Sequence, residues 1–187
     1  MCCRYSISES VTTWLQKYVP DVVKTGDVHP GDCAPAFIAG STNPVVAQLK
    51  WGIARQDRQL VINARSETLW ERPMFRESFG KRRCVLPADC FYEWDRKKRK
   101  NTFWPSAGGV LFLAGLYTEN GSYVVITTEA DSIMQPVHDR MPVCLSESVL
   151  HDWLFDAGRA RDILTNIFVP LRRVKPVEQG SLLECVE

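Results

Sequence analysis

The chain has 187 residues, 45% of them apolar and 24% charged, and a formal net charge of +1. This is the composition of one soluble globular domain spanning 1–187, large enough to bury a core. Near-zero net charge excludes a globally basic nucleic-acid binder, so any such contact must come from a local basic patch. No apolar run approaches membrane-spanning length, so no membrane partner is expected.

The N-terminus, MCCRYSISES, lacks an apolar signal-peptide core, and the chain reads as cytoplasmic. Cys3 to Ile7 reads as a short strand. Ser8 reads as the N-cap of a helix that places Val11, Trp14, Leu15 and Tyr18 at helical spacing. Asp21 to Asn43, rich in Gly, Pro and Asp, reads as loop. Val45, Ala47, Leu49, Trp51 and Ile53 then alternate as one face of a strand, and Leu60 to Ala64 reads as a second. Pro73 is expected to break a short helix containing Trp70. Arg83 to Leu86, Cys90 to Asp95, Val110 to Tyr117 and Ser122 to Thr128 read as strands, with Asn120-Gly121 a hairpin turn. Two helices follow, around Ser146 to Phe155 and Gly158 to Phe168. Many short strands with a few helices outside a βαβ rhythm predict a mainly antiparallel α+β fold, its sheet curled or barrel-like.

Seven cysteines at scattered spacings form no CxxC pair, and only three histidines accompany them. Neither a metal site nor a complete disulfide framework is expected, and no cofactor is implied. Cys2 stands out by position. On position alone a buried or incidental cysteine is the commoner outcome. Initiator methionine is usually removed before a small residue, and Cys2 would then carry an α-amine and a thiol on adjacent carbons. Such an aminothiol condenses with an aldehyde to an imine, and the thiol closes a thiazolidine ring. With a reference pKa of about 7.7–8.0 against about 10.4 for Lys, an α-amine has a neutral fraction roughly 300-fold larger at pH 7.

Four polar segments carry the remaining candidates: Met1 to Tyr5, Asn63 to Glu67, Pro87 to Trp94, and His138 to Pro142. Alternation puts Glu93 on the face of Phe91, opposite Tyr92 and Trp94. A carboxyl among apolar neighbours suits acid/base work, and a strand-edge Glu paired with an Arg is the plainer alternative. His138 reads as a proton carrier or a structural histidine, and Asn63 as a site residue or a turn. The run Arg96 to Lys100 is either a solvated hairpin tip or a DNA contact.

Taken together, MC-x-RY, NAR-x-ET, RRC-x-LPAD-x-FYEW and H-x-RMP resemble, in order, the SRAP family, the SOS-response-associated peptidase-like proteins that process abasic sites in DNA. The resemblance covers most of the chain and is weak only over the C-terminal helices. It implies a monomer that works on abasic sites in single-stranded DNA at the nucleoid. Cys2 would be the covalent residue, and Asn63 would orient its amine or the opened sugar. Glu93 would assist ring opening and proton transfer, and His138 would shuttle protons. Arg4, Arg65 and Arg140 would hold phosphates, joined by Thr127; Arg82 and Arg83 lie beside the motifs as further cations.

Two departures stand against the pattern: Cys3 and Cys90 occupy usual glycine positions, and the stretch after Trp51-Gly52 lacks the further tryptophans that stack on DNA in the family. Two other function classes remain. One is a peptidase or amidohydrolase using Cys2, acting on other chains or on itself alone. The other is a non-catalytic nucleic-acid module using the basic run alone.

Overall fold

The computed structural model describes residues 2–18, 26–166 and 169–176. Strand β1 (Tyr5–Ile7) runs into Ser8, whose hydroxyl accepts the Ser10 N–H at 3.2 Å and caps helix α1 (Glu9–Gln16). The Asp89 carboxylate also accepts the Ser8 N–H and, at 2.6 Å, the Ser8 hydroxyl, pinning this corner to the strand pair behind it. Strands β2 (Gly26–Val28), β3 (Cys33–Ala39) and β4 (Pro44–Trp51) follow. The expected loop from Asp21 to Asn43 is therefore wrong over β2 and β3, while 21–25 lie outside the described residues. β3 reads weakly because CAPAFIA holds two residue types poor in strands, Ala and Pro. It is held by partners remote in sequence, β4 on one edge and a later strand on the other.

The predicted strand Leu60 to Ala64 is broken at Ile62. β5 (Ile53–Ala54) and β6 (Leu60–Val61) form a small hairpin, and β7 (Asn63–Arg65) leaves to join another sheet. Pro73 does not break a helix. It opens α2 (Pro73–Lys81), where its missing N–H costs nothing, and Trp70 lies in the preceding turn. β8 (Arg83–Ala88), β9 (Cys90–Trp94), β10 (Lys100–Pro105), β11 (Leu111–Tyr117) and β12 (Ser122–Glu129) come next. The β11–β12 turn has Gly121 at φ +73°, as the Asn-Gly pair predicts. Short strands β13 (Arg140–Pro142) and β14 (Cys144–Leu145) precede α3 (Leu150–Phe155), α4 (Ala157–Asn166) and β15 (Leu171–Val174).

The fold is α+β with mostly antiparallel sheets, as expected. One sheet has five strands in the order β15-β10-β9-β1-β2. The other has eight, and an extra β12–β11 pairing closes β12-β4-β3-β8-β11 into a ring, the curled sheet foreseen from the pattern. β12 is the pivot. Along one edge it pairs in parallel with β4 and then β7; along the other it pairs with β11 and then β13. That arrangement brings the NAR and RMP motifs to the same end of one strand. At the start of β12 Trp51, Tyr123 and Tyr5 are fully buried. The Trp51 and Tyr123 rings stack at 6.0 Å, the two tyrosine hydroxyls meet at 2.7 Å, and Trp51 Nε1 donates to Ile62 O at 2.9 Å.

Candidate active site

Cys2 lies just before β1 and is 1% exposed, with its thiol directed at Arg4 O, 3.8 Å away. Asn63, the first residue of β7, donates from Nδ2 to Cys2 O at 3.0 Å. Asn63 Oδ1 is buried and has no hydrogen-bond partner among the described residues. A buried acceptor without a donor costs about 1–3 kcal/mol, so it marks a position prepared for a donor. Glu93 is 5% exposed on the inner face of β9, as alternation requires, and its Oε1 accepts the Trp94 N–H at 3.1 Å. Burial pushes the Cys2 thiol well above its ordinary value, and the nearby Glu93 carboxylate pushes it further. The same two causes raise the Cys3 thiol. Cys2, Asn63 and Glu93 thus form one buried group, and Cys2 in this state is a protonated thiol.

His138 stands on the wall of a neighbouring cleft of about 760 Å³, facing Trp94 and Arg96. Its Nδ1 is 2.9 Å from the Arg140 N–H and 2.7 Å from Asp139 Oδ1. One ring nitrogen cannot satisfy both at once. As an acceptor Nδ1 takes the Arg140 N–H, and as a donor it reaches Asp139, so it holds one of these partners at a time. The backbone contact is the better defined of the two, because Asp139 is largely exposed.

The predicted phosphate contacts separate into different kinds of residue. Arg65 is exposed on β7 and, among the described residues, in no ion pair. Arg4 is half-exposed, 3.5 Å from Asp27 and stacked over the Trp94 ring at 5.0 Å. Arg140 is already engaged: both terminal nitrogens reach Glu67 at 2.9 Å, and Nη2 donates to Thr127 O at 2.6 Å. Burial alone would raise the Glu67 carboxyl, but its bonds to Arg140 outweigh that and hold it below its ordinary value. Thr127 lies behind Arg140. It is 0% exposed, with its hydroxyl 3.5 Å from both Ala64 O and Arg140 Nη2. It links β7 to Arg140.

Arg82 and Arg83 are not phosphate ligands here. Arg82 bridges Glu77 at 3.2 Å and Glu119 at 3.1 Å. Arg83 is buried and caps two helix ends, donating to Trp153 O at 2.5 Å, Phe79 O at 2.6 Å, Gly80 O at 3.1 Å and Leu154 O at 3.0 Å. The basic run does form a hairpin tip. Asp95 accepts the Lys97 and Arg99 N–H groups at 2.9 and 3.0 Å, and Lys98 takes φ +60°. Of the two cysteines at usual glycine positions, Cys3 is half-buried, whereas Cys90 is buried with its thiol pushed up to about 11.

With this geometry in hand, comparison with known proteins places the chain. The family model for SOS response associated peptidase (SRAP) matches residues 1–179. The chain belongs to the SRAP family. It is 29% identical to the abasic site processing protein YobE of Bacillus subtilis, over 91% of this chain and 89% of that protein. It is 30% identical to YoqW of the same organism, also named an abasic site processing protein, over 91% of this chain and 87% of that one. A Xenopus tropicalis relative, abasic site processing protein HMCES, is 29% identical over 62% of this chain and 47% of its own length. A crystal structure from Bordetella bronchiseptica superposes with a TM-score of 0.78 at 25% identity, covering 93% of this chain and 99% of that one. No described helix is long and apolar enough to cross a membrane.

Proposed function

We propose that this SRAP protein captures abasic sites in single-stranded DNA by condensing the sugar aldehyde with the α-amine and thiol of Cys2, after Met1 has been removed. One observation carries the reading: the partnerless Oδ1 of Asn63, buried beside the Cys2 backbone, is the acceptor that an α-amine on Cys2 would fill. The Nδ2 bond to Cys2 O fixes which end of the amide faces that amine.

The chemistry follows from the surroundings. An abasic sugar is mostly a closed hemiacetal, and opening it requires a proton at the ring oxygen and a base at the anomeric hydroxyl. Glu93, buried beside Cys2, moves one proton, and His138, across the cleft, moves the other. The neutral α-amine adds to the aldehyde carbon and water leaves, giving an imine. The Cys2 sulfur then bonds to the imine carbon while its proton passes to the imine nitrogen. The net reaction is aldehyde plus aminothiol to thiazolidine plus water. Holding the aldehyde against Cys2 makes both bond-forming steps effectively intramolecular. An abasic nucleotide has no base to unstack, so it enters a pocket more cheaply than an intact one.

The raised Cys2 thiol supports amine-first capture over a cysteine-peptidase mechanism. A peptidase needs a thiolate at neutral pH, whereas here burial and Glu93 both oppose one. In a response to DNA damage the product would be a covalent protein–DNA adduct. On a denaturing gel, abasic single-stranded DNA should shift stoichiometrically with the protein and intact DNA should not. Equal shifts with both DNAs, or none with either, would overturn the proposal.

A further inference from the structure

The five-stranded sheet has two faces of different character. Its inner face carries Tyr5, Phe91, Glu93, Asn101, Phe103 and Leu171, all buried. Register sets what the other face displays. Trp94 lies opposite Lys100, Tyr92 opposite Thr102, and Trp104 opposite Arg172. β10 alternates strictly, with Asn101, Phe103 and Pro105 buried while Lys100, Thr102 and Trp104 reach solvent. β15 shows the same alternation at its start, with Leu171 buried and Arg172 exposed.

On this outer face every aromatic carries a cation. Arg4 lies over Trp94 at 5.0 Å, Lys100 over Tyr92 at 4.5 Å, and Arg172 over Trp104 at 5.5 Å. The three stacks draw on four adjacent strands or their flanks, β1, β9, β10 and β15. A cleft of about 490 Å³ bounded by Trp104, Arg172, Gly108 and Gly109 lies at the far end. Burying an aromatic in a core requires no cation over it. A sheet face on which partly exposed rings alternate with cations matches the two things a single strand offers, base faces and phosphates.

We infer that the outer face of this sheet is a second single-stranded DNA platform, continuous with the abasic site through the Arg4–Trp94 stack. This rests on the proposed function for the choice of DNA as the polymer. A strand whose lesion sits at Cys2 passes Trp94 at the cleft rim and lays two or three flanking bases on Tyr92 and Trp104. That is the number other sheet-based single-strand readers stack. Arg172 and Lys100 swing from the rings they cover to the phosphates, and the bases take the vacated ring faces. The device replaces the tryptophans that the segment after Gly52 lacks, where the chain instead has the polar turn Arg55 to Gln59.

The test uses the full processed chain and intact dT5 and dT20 in fluorescence anisotropy, together with crosslinking of an abasic 20-mer at saturating protein. Trp104→Ala should weaken dT20 binding by about tenfold, within the range that loss of one stacked base gives. Arg172→Glu, at an exposed position that folding does not need, should flatten the dependence of log K on log salt by at least about 0.7. Neither change should alter dT5 binding or the saturated crosslink yield. If both variants keep native circular dichroism and bind dT20 as the native chain does, the platform is refuted. If dT20 binding falls as expected but no abasic crosslink forms even in the native protein, the platform stands and the capture reaction is what fails.

Discussion

Replacing Asn63 by alanine should have opposite consequences for two forms of the chain. In the Met1-bearing chain Asn63 contributes one hydrogen bond, Nδ2 to Cys2 O at 3.0 Å, and one buried acceptor without a partner among the described residues. The bond is worth about 0.5–1.5 kcal/mol, and the stranded acceptor costs about 1–3 kcal/mol. Asn63→Ala removes both, so the net change runs from a loss of about 0.5 to a gain of about 2.5 kcal/mol. With Met1 removed, the new α-amine satisfies Oδ1 with a charge-assisted bond worth about 1.5–3 kcal/mol, and the same substitution now forfeits it. The small cavity left behind is common to both forms and drops out of the difference. Thermal unfolding of the four proteins measures the coupling. Asn63→Ala should lower Tm by at least about 5 °C more in the processed chain than in the chain retaining Met1, at about 2–4 °C per kcal/mol for a domain of this size. Crosslinking by the processed variant should slow, because the amine loses its anchor. Equal changes in Tm for the two forms would show that Oδ1 does not hold the α-amine.

Arg83→Met should destabilise the fold by about 3–5 kcal/mol, since it leaves three buried carbonyls, and Gly80 O at the rim, without their donor, yet DNA affinity of the folded fraction should stay native. A loss of affinity with unchanged stability would return Arg83 to the phosphate contacts. At neutral pH iodoacetamide should modify exposed Cys33 far faster than Cys2, whose thiol is raised by burial and Glu93; raising pH should narrow the gap, and peptide mass mapping reads both. Glu93→Gln and His138→Ala should slow adduct formation or reversal without abolishing non-covalent binding, as single-turnover rates against anisotropy will show. Because Glu67 is held below its ordinary carboxyl value, its pairing with Arg140 stabilises the fold fully above the unfolded value near 4.5 and is lost as pH falls through the lower folded value. The Tm difference between the native protein and Glu67→Gln should therefore be flat at neutral pH and shrink only in acid.

Local pattern was legible in the sequence where it decided structure unaided. The alternation in Cys90 to Trp94 put Glu93 on the buried face, Ser8 capped α1, and Asn120-Gly121 made its hairpin. β3 was illegible because only pairing with β4 and β8 makes a strand of its Ala and Pro residues. β10 was hidden by the basic run before it, and β15 by its two arginines. The candidate site divides in the same way. Motif order nominated Cys2, Asn63 and Glu93, and the fold sets the Asn63 amide on the Cys2 carbonyl and Glu93 near the Cys2 thiol. It could not separate the arginines, because the role of a guanidinium depends on what surrounds it. Arg83 meets helix-end carbonyls and Arg140 meets Glu67, while Arg65 meets solvent. The burial of Thr127 was illegible for a similar reason. Its place at a strand end says nothing of the strands β7 and β13 that close over it.

The most direct test of the central claim is the mass of the N-terminal peptide from protein crosslinked to abasic single-stranded DNA, digested to leave only the sugar remnant. The account predicts a peptide that begins at Cys2, without Met1, and carries the remnant with one water lost. Its thiol should resist alkylation, and the adduct should survive without borohydride. A remnant on a lysine, or on a peptide that still carries Met1, would contradict it.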